Sequence, residues 1–192
     1  MNEIVLMDDR VILKPLQQSD FEELLTFSVN EPDTWNYVPL SAAGANNLKK
    51  YIDVAIADRD KGISLPFIVF DKETEQYIGS TRLYNINENN KTLMLGHTWY
   101  GKDFRGTGIN KHCKYLLLTY AFEVMKMERV EFRADVLNEA SIAAMKSIGC
   151  VQEGVLRRDI ILPNGRRRDT AVLSILREEW FATVKDNLEK RL

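Results

Sequence analysis

Apolar residues on either side of Asp8-Asp9, Ile4 to Leu6 and Val11 to Leu13, predict a short strand pair or one bent strand. Ser19 is placed to cap a helix that runs through Val29. After a loop over Asn30 to Pro39, Leu48, Tyr51, Ile52, Ala55 and Ile56 recur at helical spacing. They predict a second helix over roughly 45–60, ended by Gly62. The period then falls to two. Ser64 to Phe70, Tyr77 to Ile86 and Thr92 to Tyr100 read as successive strands with turns at Asp71-Lys-Glu-Thr and Asn87-Glu-Asn-Asn, an antiparallel meander.

Helical spacing returns at Ile109, Cys113, Leu116, Leu117, Tyr120, Ala121 and Val124, a stripe that predicts a helix lasting to about Lys126 and lying on the sheet. Val130, Phe132, Ala134 and Val136 alternate with Glu131, Arg133 and Asp135. A strand that follows a helical crossover is expected to run parallel to the strand before it, so the sheet should open there. Asn138 is placed to cap a helix over 139–148, with Gly149 as its left-handed stop. Strands near 151–161 and 167–176 meet across Leu162-Pro-Asn-Gly-Arg166, and a charged helix over 177–190 closes the chain. No internal repeat or linker interrupts this order, so we expect a single domain over 1–192.

The totals narrow the partners. With 26 Lys plus Arg against 28 Asp plus Glu, the net charge of −2 gives no general attraction to nucleic acid or to a membrane. Cys113 and Cys150, the two cysteines, have no metal spacing and read as core thiols. The first nine residues lack the charged head and apolar stretch of an export signal. The richest apolar run, Tyr115 to Phe122, is too short to span a bilayer. A cytoplasmic protein that needs no metal is the expectation.

Chemistry concentrates where a strand stops and the long helix starts, at Phe104-Arg-Gly-Thr-Gly-Ile-Asn110. Gly106 and Gly108 let the backbone turn tightly and approach a ligand, and the unpaired N–H groups of a new helix favour an anion such as pyrophosphate. Arg105 adds a positive charge, and Lys111 and Lys114 lie close enough in sequence to meet nucleotide phosphates. The alternative is a plain tight turn capped by Thr107. A nucleotide-triphosphate loop is poorly supported, because Gly106-Thr-Gly-Ile-Asn-Lys111 lacks the Walker spacing and its hydroxyl residue after Lys.

The order of antiparallel strands followed by strand, loop, helix, strand and helix, with Arg-Gly-Thr-Gly at the first junction and Asn138-Glu-Ala-Ser141 opening the second helix, resembles the GCN5-related N-acetyltransferases (GNAT). The resemblance is to their RimJ/RimL-like branch and extends through Gly96-His-Thr-Trp99, Glu153-Gly-Val-Leu-Arg157 and Asn164 to Thr170. It implies an α/β (α+β) GNAT fold: one mixed, mostly antiparallel central sheet, splayed at its middle, with helices on both faces. The family's pyrophosphate pattern, Arg/Gln-x-x-Gly-x-Gly/Ala, falls on Arg105, Gly108 and Asn110, the last departing from it; we expect the Asn110 side chain to point away from the phosphates or to bond one. The implied coenzyme A contacts are Phe104, Arg105, Gly106, Thr107, Gly108, Ile109, Asn110 and Lys111 at the loop. Trp99 and Tyr100 would contribute backbone N–H groups as an oxyanion hole, and Asn138 and Ser141 would face the pantetheine and sulfur. For Asn138 and Ser141, helix capping and a surface position are the competing readings.

Family chemistry is direct attack of a neutral amine on the acetyl thioester in a ternary complex, so a proton must leave the amine and one can join the departing sulfur. Met94 and Met145 stand where the family commonly has a glutamate base and a tyrosine acid, and neither thioether transfers a proton. His97 is the nearest titratable substitute, with an ordinary pKa of about 6.5, although it faces away from Met94 unless a bulge intervenes. It could equally be a packed sheet histidine. His112, off the apolar stripe, reads as solvated. Ser141 is the candidate acid. Without a strong base an α-amine is the easier nucleophile than a lysine amine.

Trp35, Tyr37 and Arg82, backed by Tyr84, are the candidates for the acceptor side; Trp35 and Tyr37 could instead anchor their loop, and Arg82 could be an ordinary strand-surface charge. The cluster Arg157-Arg158 and Arg166-Arg167-Arg168 invites an RNA reading, but Asp159 and Asp169 among them point to cross-strand pairing on an exposed hairpin. We therefore expect an acetyl-CoA-dependent N-acetyltransferase acting on a primary amine of a protein or peptide N-terminus or of a small molecule, with a homodimer possible and nucleic acid not expected. The rivals are an acyl-CoA-binding sensor that has lost turnover and a ribosome- or RNA-associated module.

Overall fold

The computed structural model describes residues 4–192, so the first three residues of the chain, part of the segment read above for an export signal, lie outside the described residues. Eight strands form one sheet in the order β1-β2-β3-β4-β5-β6-β8-β7. They are β1 (Leu6–Met7), β2 (Val11–Pro15), β3 (Ser64–Asp71), β4 (Gln76–Asn87), β5 (Thr92–Tyr100), β6 (Arg129–Asp135), β7 (Val151–Ile161) and β8 (Arg167–Leu176). All neighbours are antiparallel except β5 and β6, which are parallel and joined by the crossover helix α3 (Ile109–Thr119). The expected opening of the sheet is at that junction. Only Thr92, Leu93 and Met94 pair with Arg129, Val130 and Glu131. Beyond them β5 pairs with β4 alone and β6 with β8 alone, leaving two strand edges that diverge.

Helices cover both faces, and the alternation along the strands decides which residues meet them. On one face Leu93 and Leu95 of β5 and Val130 and Phe132 of β6 pack with Ile109, Cys113 and Leu117 of α3. Met145 of α4 (Glu139–Ser147) and Trp180 of the C-terminal helix complete that core. On the other face α1 (Phe21–Asn30) and α2 (Ala45–Asp60) bury Leu24, Leu48, Tyr51, Ile52 and Ala55 against Ile68 and Trp99. No core residue of β6, β7 or β8 belongs to this second cluster. The polar face of those strands therefore lies beyond the reach of α1 and α2.

Several expectations shift in detail. The first helix begins at Phe21 after a 3-10 turn, Gln18–Asp20; Asp20 rather than Ser19 holds the cap position, with no side-chain bond to the helix, and its carboxylate instead closes the start of the 3-10 turn by accepting from the Gln17 N–H at 2.8 Å. The long helix ends in a π turn, Tyr120–Val124, and the C-terminal helix contains another, Trp180–Val184, between Arg177–Glu179 and Lys185–Glu189. The two face one another, with Phe122 stacked on Trp180 at 5.6 Å and the Trp180 indole N–H donating to Glu123 at 3.0 Å. Cys113 and Cys150 are core thiols as expected, and burial pushes both up to about 12. Among the described residues no helix is long and apolar enough to cross a membrane, and no group of three or more potential metal ligands is present.

Strand β4 needs glycine where it approaches β5. A Cβ on Gly79 would lie 2.1 Å from the Trp99 carbonyl oxygen, a backbone atom that cannot swing aside. Gly79→Ala is expected to cost at least about 1–3 kcal/mol through forced separation of β4 from β5, read as a lower urea midpoint with an unchanged m-value.

Candidate active site

The diverging edges of β5 and β6 form a cleft, and the glycine loop sits at its mouth. After β5 a 3-10 turn, Lys102–Phe104, leads into the loop, and Gly106 and Gly108 adopt φ of 78° and 94°, the left-handed region that favours glycine. An added Cβ would meet nothing within 4 Å at either position, so the space beside the loop is open. Thr107 does not cap the helix: its hydroxyl turns back to the Phe104 carbonyl at 2.8 Å. Gly108 occupies the cap position of α3 and no side chain satisfies the amides of the first turn. By contrast Asn138 caps α4, its Oδ1 accepting from the Ser141 N–H at 3.1 Å. One helix start is closed by its own side chain; the other presents N–H groups and a positive dipole end to open space.

Arg105 is exposed but engaged. Its Nε donates to the Tyr100 carbonyl at 3.0 Å and its Nη2 to Thr34 at 2.7 Å, with Glu31 3.5 Å away. Glu31 also accepts from the Lys102 N–H at 3.0 Å. The arginine thus pins the loop to the end of α1. Asn110 turns away from the loop, toward the Tyr100 hydroxyl at 3.4 Å. Ile109 is buried, while Phe104 and Lys111 are half-buried.

Lys114 differs from its expected role at the phosphates. Its side chain runs into the core and its ammonium donates to the Thr98 hydroxyl at 2.7 Å, and Thr98 in turn bonds Thr81 at 2.7 Å. Burial lowers its pKa to about 8. His112, expected in solvent, is half-buried with Nδ1 2.9 Å from Asp8.

His97 lies on a bulge. Arg82 pairs with Gly96 and Ser80 with Trp99, so two steps along β4 match three along β5, and His97 has φ 48°. The extra residue reverses the alternation and puts His97 on the same face as Met94, the face of α2. Tyr51 of α2 holds the bulge, its hydroxyl donating to the His97 carbonyl at 3.1 Å. The Tyr84 ring stands edge-on to His97 at 4.8 Å and covers Gly96, where a Cβ would come within 3.1 Å of it. Burial, helped by the nearby Arg82 guanidinium, pushes His97 down to about 3. The imidazole is neutral throughout the physiological range and binds a proton too weakly to deprotonate an ammonium ion.

The acceptor candidates divide. Trp35 is a core residue, edge-on to Trp99 at 5.4 Å, and anchors its loop. Tyr37 is exposed, and its carbonyl accepts from Arg168 of β8 at 3.1 Å, tying the loop to the far side of the cleft. Arg82 is not a surface charge: it is 2% exposed and stacks on the Tyr51 ring at 4.3 Å. Ser141 is half-buried at the start of α4. Trp99 and Tyr100 are buried, so only their backbone can reach a ligand. Met94 accepts from Asn85 at 3.1 Å and Met145 is packed in the core.

Sequence reasoning missed Tyr51 and Arg168. Tyr51 was visible only as one member of an apolar helical stripe, and nothing local marked its hydroxyl. The arginine hairpin also resolves differently from an exposed basic patch, because Arg166 pairs with Asp135 and Arg168 is buried.

A histidine whose folded pKa lies below its unfolded value near 6.5 holds fewer protons when folded. Its contribution to stability is complete above pH 6.5 and is lost as pH falls toward about 3. His97→Gln is expected to flatten the fall in melting temperature between pH 6.5 and 4, measured against wild type in one buffer series.

Known proteins agree with this geometry. Residues 10–151 match the family described as acetyltransferase (GNAT) domain. The chain is 37% identical over 102 residues to the "Putative ribosomal N-acetyltransferase YdaF" of Bacillus subtilis (strain 168), a match that spans 53% of this chain and 55% of that protein. Among solved structures, a GCN5-related N-acetyltransferase from Brucella melitensis superposes with a TM-score of 0.88 at 24% identity, covering 99% of this chain and 86% of its own. Mycobacterium smegmatis RimJ in complex with CoA-disulfide does so with 0.83 at 18% identity, covering 98% and 93%. These two establish the fold, and the family match over most of the chain establishes the lineage: the protein belongs to the GNAT acetyltransferases.

Proposed function

We propose that the chain transfers the acetyl group of acetyl-CoA to a primary amine in a ternary complex. The observation that carries this reading is the uncapped start of α3, opened by Gly106 and Gly108 at the mouth of the β5–β6 cleft. It is a cradle in which backbone N–H groups can donate to a diphosphate without any side chain being displaced. Acetyl-CoA supplies the acetyl group as a thioester. The residues that would hold it are the loop from Phe104 to Lys111, the backbone at Trp99 and Tyr100, and Asn138 and Ser141 at the start of α4.

The proton inventory favours a particular acceptor. His97 is too weak a base, and Met94 and Met145 are inert. The amine must therefore arrive neutral. At pH 7 about a tenth of an α-amine with a pKa near 8 is neutral, against roughly one part in two thousand of a lysine amine near 10.4. That ratio exceeds a hundred and points to an N-terminal α-amine or a small molecule of similar basicity. Ser141 can donate to the departing sulfur, but a thiolate with a pKa near 8.5 leaves with little help. Its contribution is correspondingly small. The partners in this reading are acetyl-CoA and the amine, with a second copy of the chain able to add to β7, whose outer edge has no strand partner among the described residues. The setting is the cytoplasm.

Calorimetry with coenzyme A tests the cradle. Gly108→Ala places a methyl in the ligand's space and strains a backbone at φ 94°, so affinity should fall at least tenfold while folding loses only about 1–2 kcal/mol. No coenzyme A uptake by the wild type would end the proposal. Turnover on a peptide with a free α-amine should exceed that on an N-blocked lysine peptide by about a hundredfold at pH 7, and the gap should narrow as pH rises to 9. Ser141→Ala should lower kcat less than tenfold. Binding without turnover on any amine would leave an acyl-CoA sensor.

A further inference from the structure

The part of the α2 face that spans β4, β5, β6 and β8 carries more buried positive charge than it neutralises. Arg133 is paired with Glu131 at 2.7 Å, and Arg166 with Asp135. Arg82 and Arg168 are 2% and 5% exposed, and neither has a carboxylate partner among the described residues. Among the described residues Arg82 Nε has no hydrogen-bond partner, and its Nη2 reaches the Tyr51 carbonyl only at 3.5 Å. Arg168 donates to Thr170 at 3.0 Å and to the Tyr37 carbonyl at 3.1 Å, both neutral groups, while Asp135 and Asp159 act on its charge without contacting it. Both act electrostatically on the Tyr84 hydroxyl, as do Arg133 and, with opposite sign, the Glu131 carboxylate that Arg133 pairs.

A guanidinium taken out of water without a counter-ion is strongly unfavourable, and the Tyr51 ring beneath Arg82 offsets only part of this. An incoming anion would supply what the fold withholds. Arg82 lies opposite Gly96 on β5, next to the His97 bulge and beside the diverging edges, whereas the coenzyme A loop is farther along the chain beyond Tyr100 at the start of α3. The charge therefore serves the other reactant. We propose that the acceptor carries an oxyanion, a carboxylate or phosphonate close to its amine, which Arg82 and Arg168 hold so that the amine lies at the cleft beside His97. The same pair repels polyamines. This inference rests on the acetyl-transfer reading and sharpens it.

The test uses acceptors that differ in charge but little in shape. Ser-Asp-amide and Ser-Asn-amide present the same α-amine with and without a carboxylate. β-Alanine, β-alaninamide and 2-aminoethylphosphonate ask whether a free carboxylate or phosphonate serves instead of an acidic side chain, and spermidine is the cationic control. With the full chain and acetyl-CoA, at least one anionic acceptor should exceed its neutral partner at least tenfold in kcat/KM, chiefly through KM, and spermidine should be the poorest. Arg82→Gln should erase the preference, Arg82→Lys should restore part of it, and Arg168→Gln should weaken it.

Binding is read separately by melting the coenzyme A complex with N-acetyl-Ser-Asp-amide, N-acetyl-β-alanine or N-acetyl-Ser-Asn-amide. An anionic product should protect and the neutral one should not. Protection without turnover on any amine would retain the anion site and remove the transferase reading. Turnover without preference or protection would do the reverse. Arg82→Met should melt no lower than wild type, because it removes a buried charge that has no counter-ion. A clear loss of stability in that variant would mark Arg82 as structural and overturn the proposal, as would equal use of charged and neutral acceptors.

Discussion

Three register pairs join β5 to β6, and everything that reads as a site follows from how few they are. A parallel pair of strands normally exchanges hydrogen bonds along its length. Here each strand is satisfied on its other side, β5 by β4 and β6 by β8, so separation leaves two inner edges whose polar groups need partners. The helices keep the sheet from closing the gap or tearing further. α3 and the C-terminal helix pack across one face, and Lys114 reaches from α3 to Thr98 on β5. On the opposite face Tyr51 fixes the bulge by its bond to the His97 carbonyl.

The two faces of β5 have different chemistry because of that bulge. Without the extra residue at His97, the imidazole would point into the apolar core shared with α3, and Trp99 and Tyr100 would exchange faces. With it, Met94, Gly96, His97 and Trp99 all look toward α2. The histidine's weak basicity is a consequence of the same placement, since it lies under Tyr84 and close to the Arg82 charge. A residue that the sequence suggests as a base becomes a neutral surface of the cleft.

Most of the architecture was legible because period and punctuation agreed. The bounds of β7 and β8 follow from the alternation on each side of Asn164-Gly165, and α4 from Asn138 and Gly149. The π turns were not legible: the helical stripe expected Val124 to face the sheet, and the wider turn instead buries Phe122 and leaves Val124 exposed. Sequence also offered no way to decide the orientation of His97, because a bulge is a property of strand pairing and not of the strand alone. Arg82 could be read as an acceptor-side group or as a strand-surface charge; its burial comes from the docking of α2, whose Tyr51 ring it stacks on. Lys114 failed for the same reason, one polar residue on a helix whose neighbours at 113, 117 and 118 are core. Charges buried by tertiary contacts leave no local signature.

Strand β7 is accessible on both sides for nearly its whole length, with Val151, Val155, Leu156 and Ile161 uncovered. A long flat margin of this kind would invite unlimited stacking of chains. Two features prevent it. The register against β8 slips twice, between Gln152 and Gly154 and again between Leu156 and Ile160, where Arg158 adopts φ 54°, so the margin is kinked near its start and at its centre. Arginines at 157 and 158 load the kink with like charge. Any neighbour that docks there meets a change of geometry within about three residues, too short a run to support indefinite stacking.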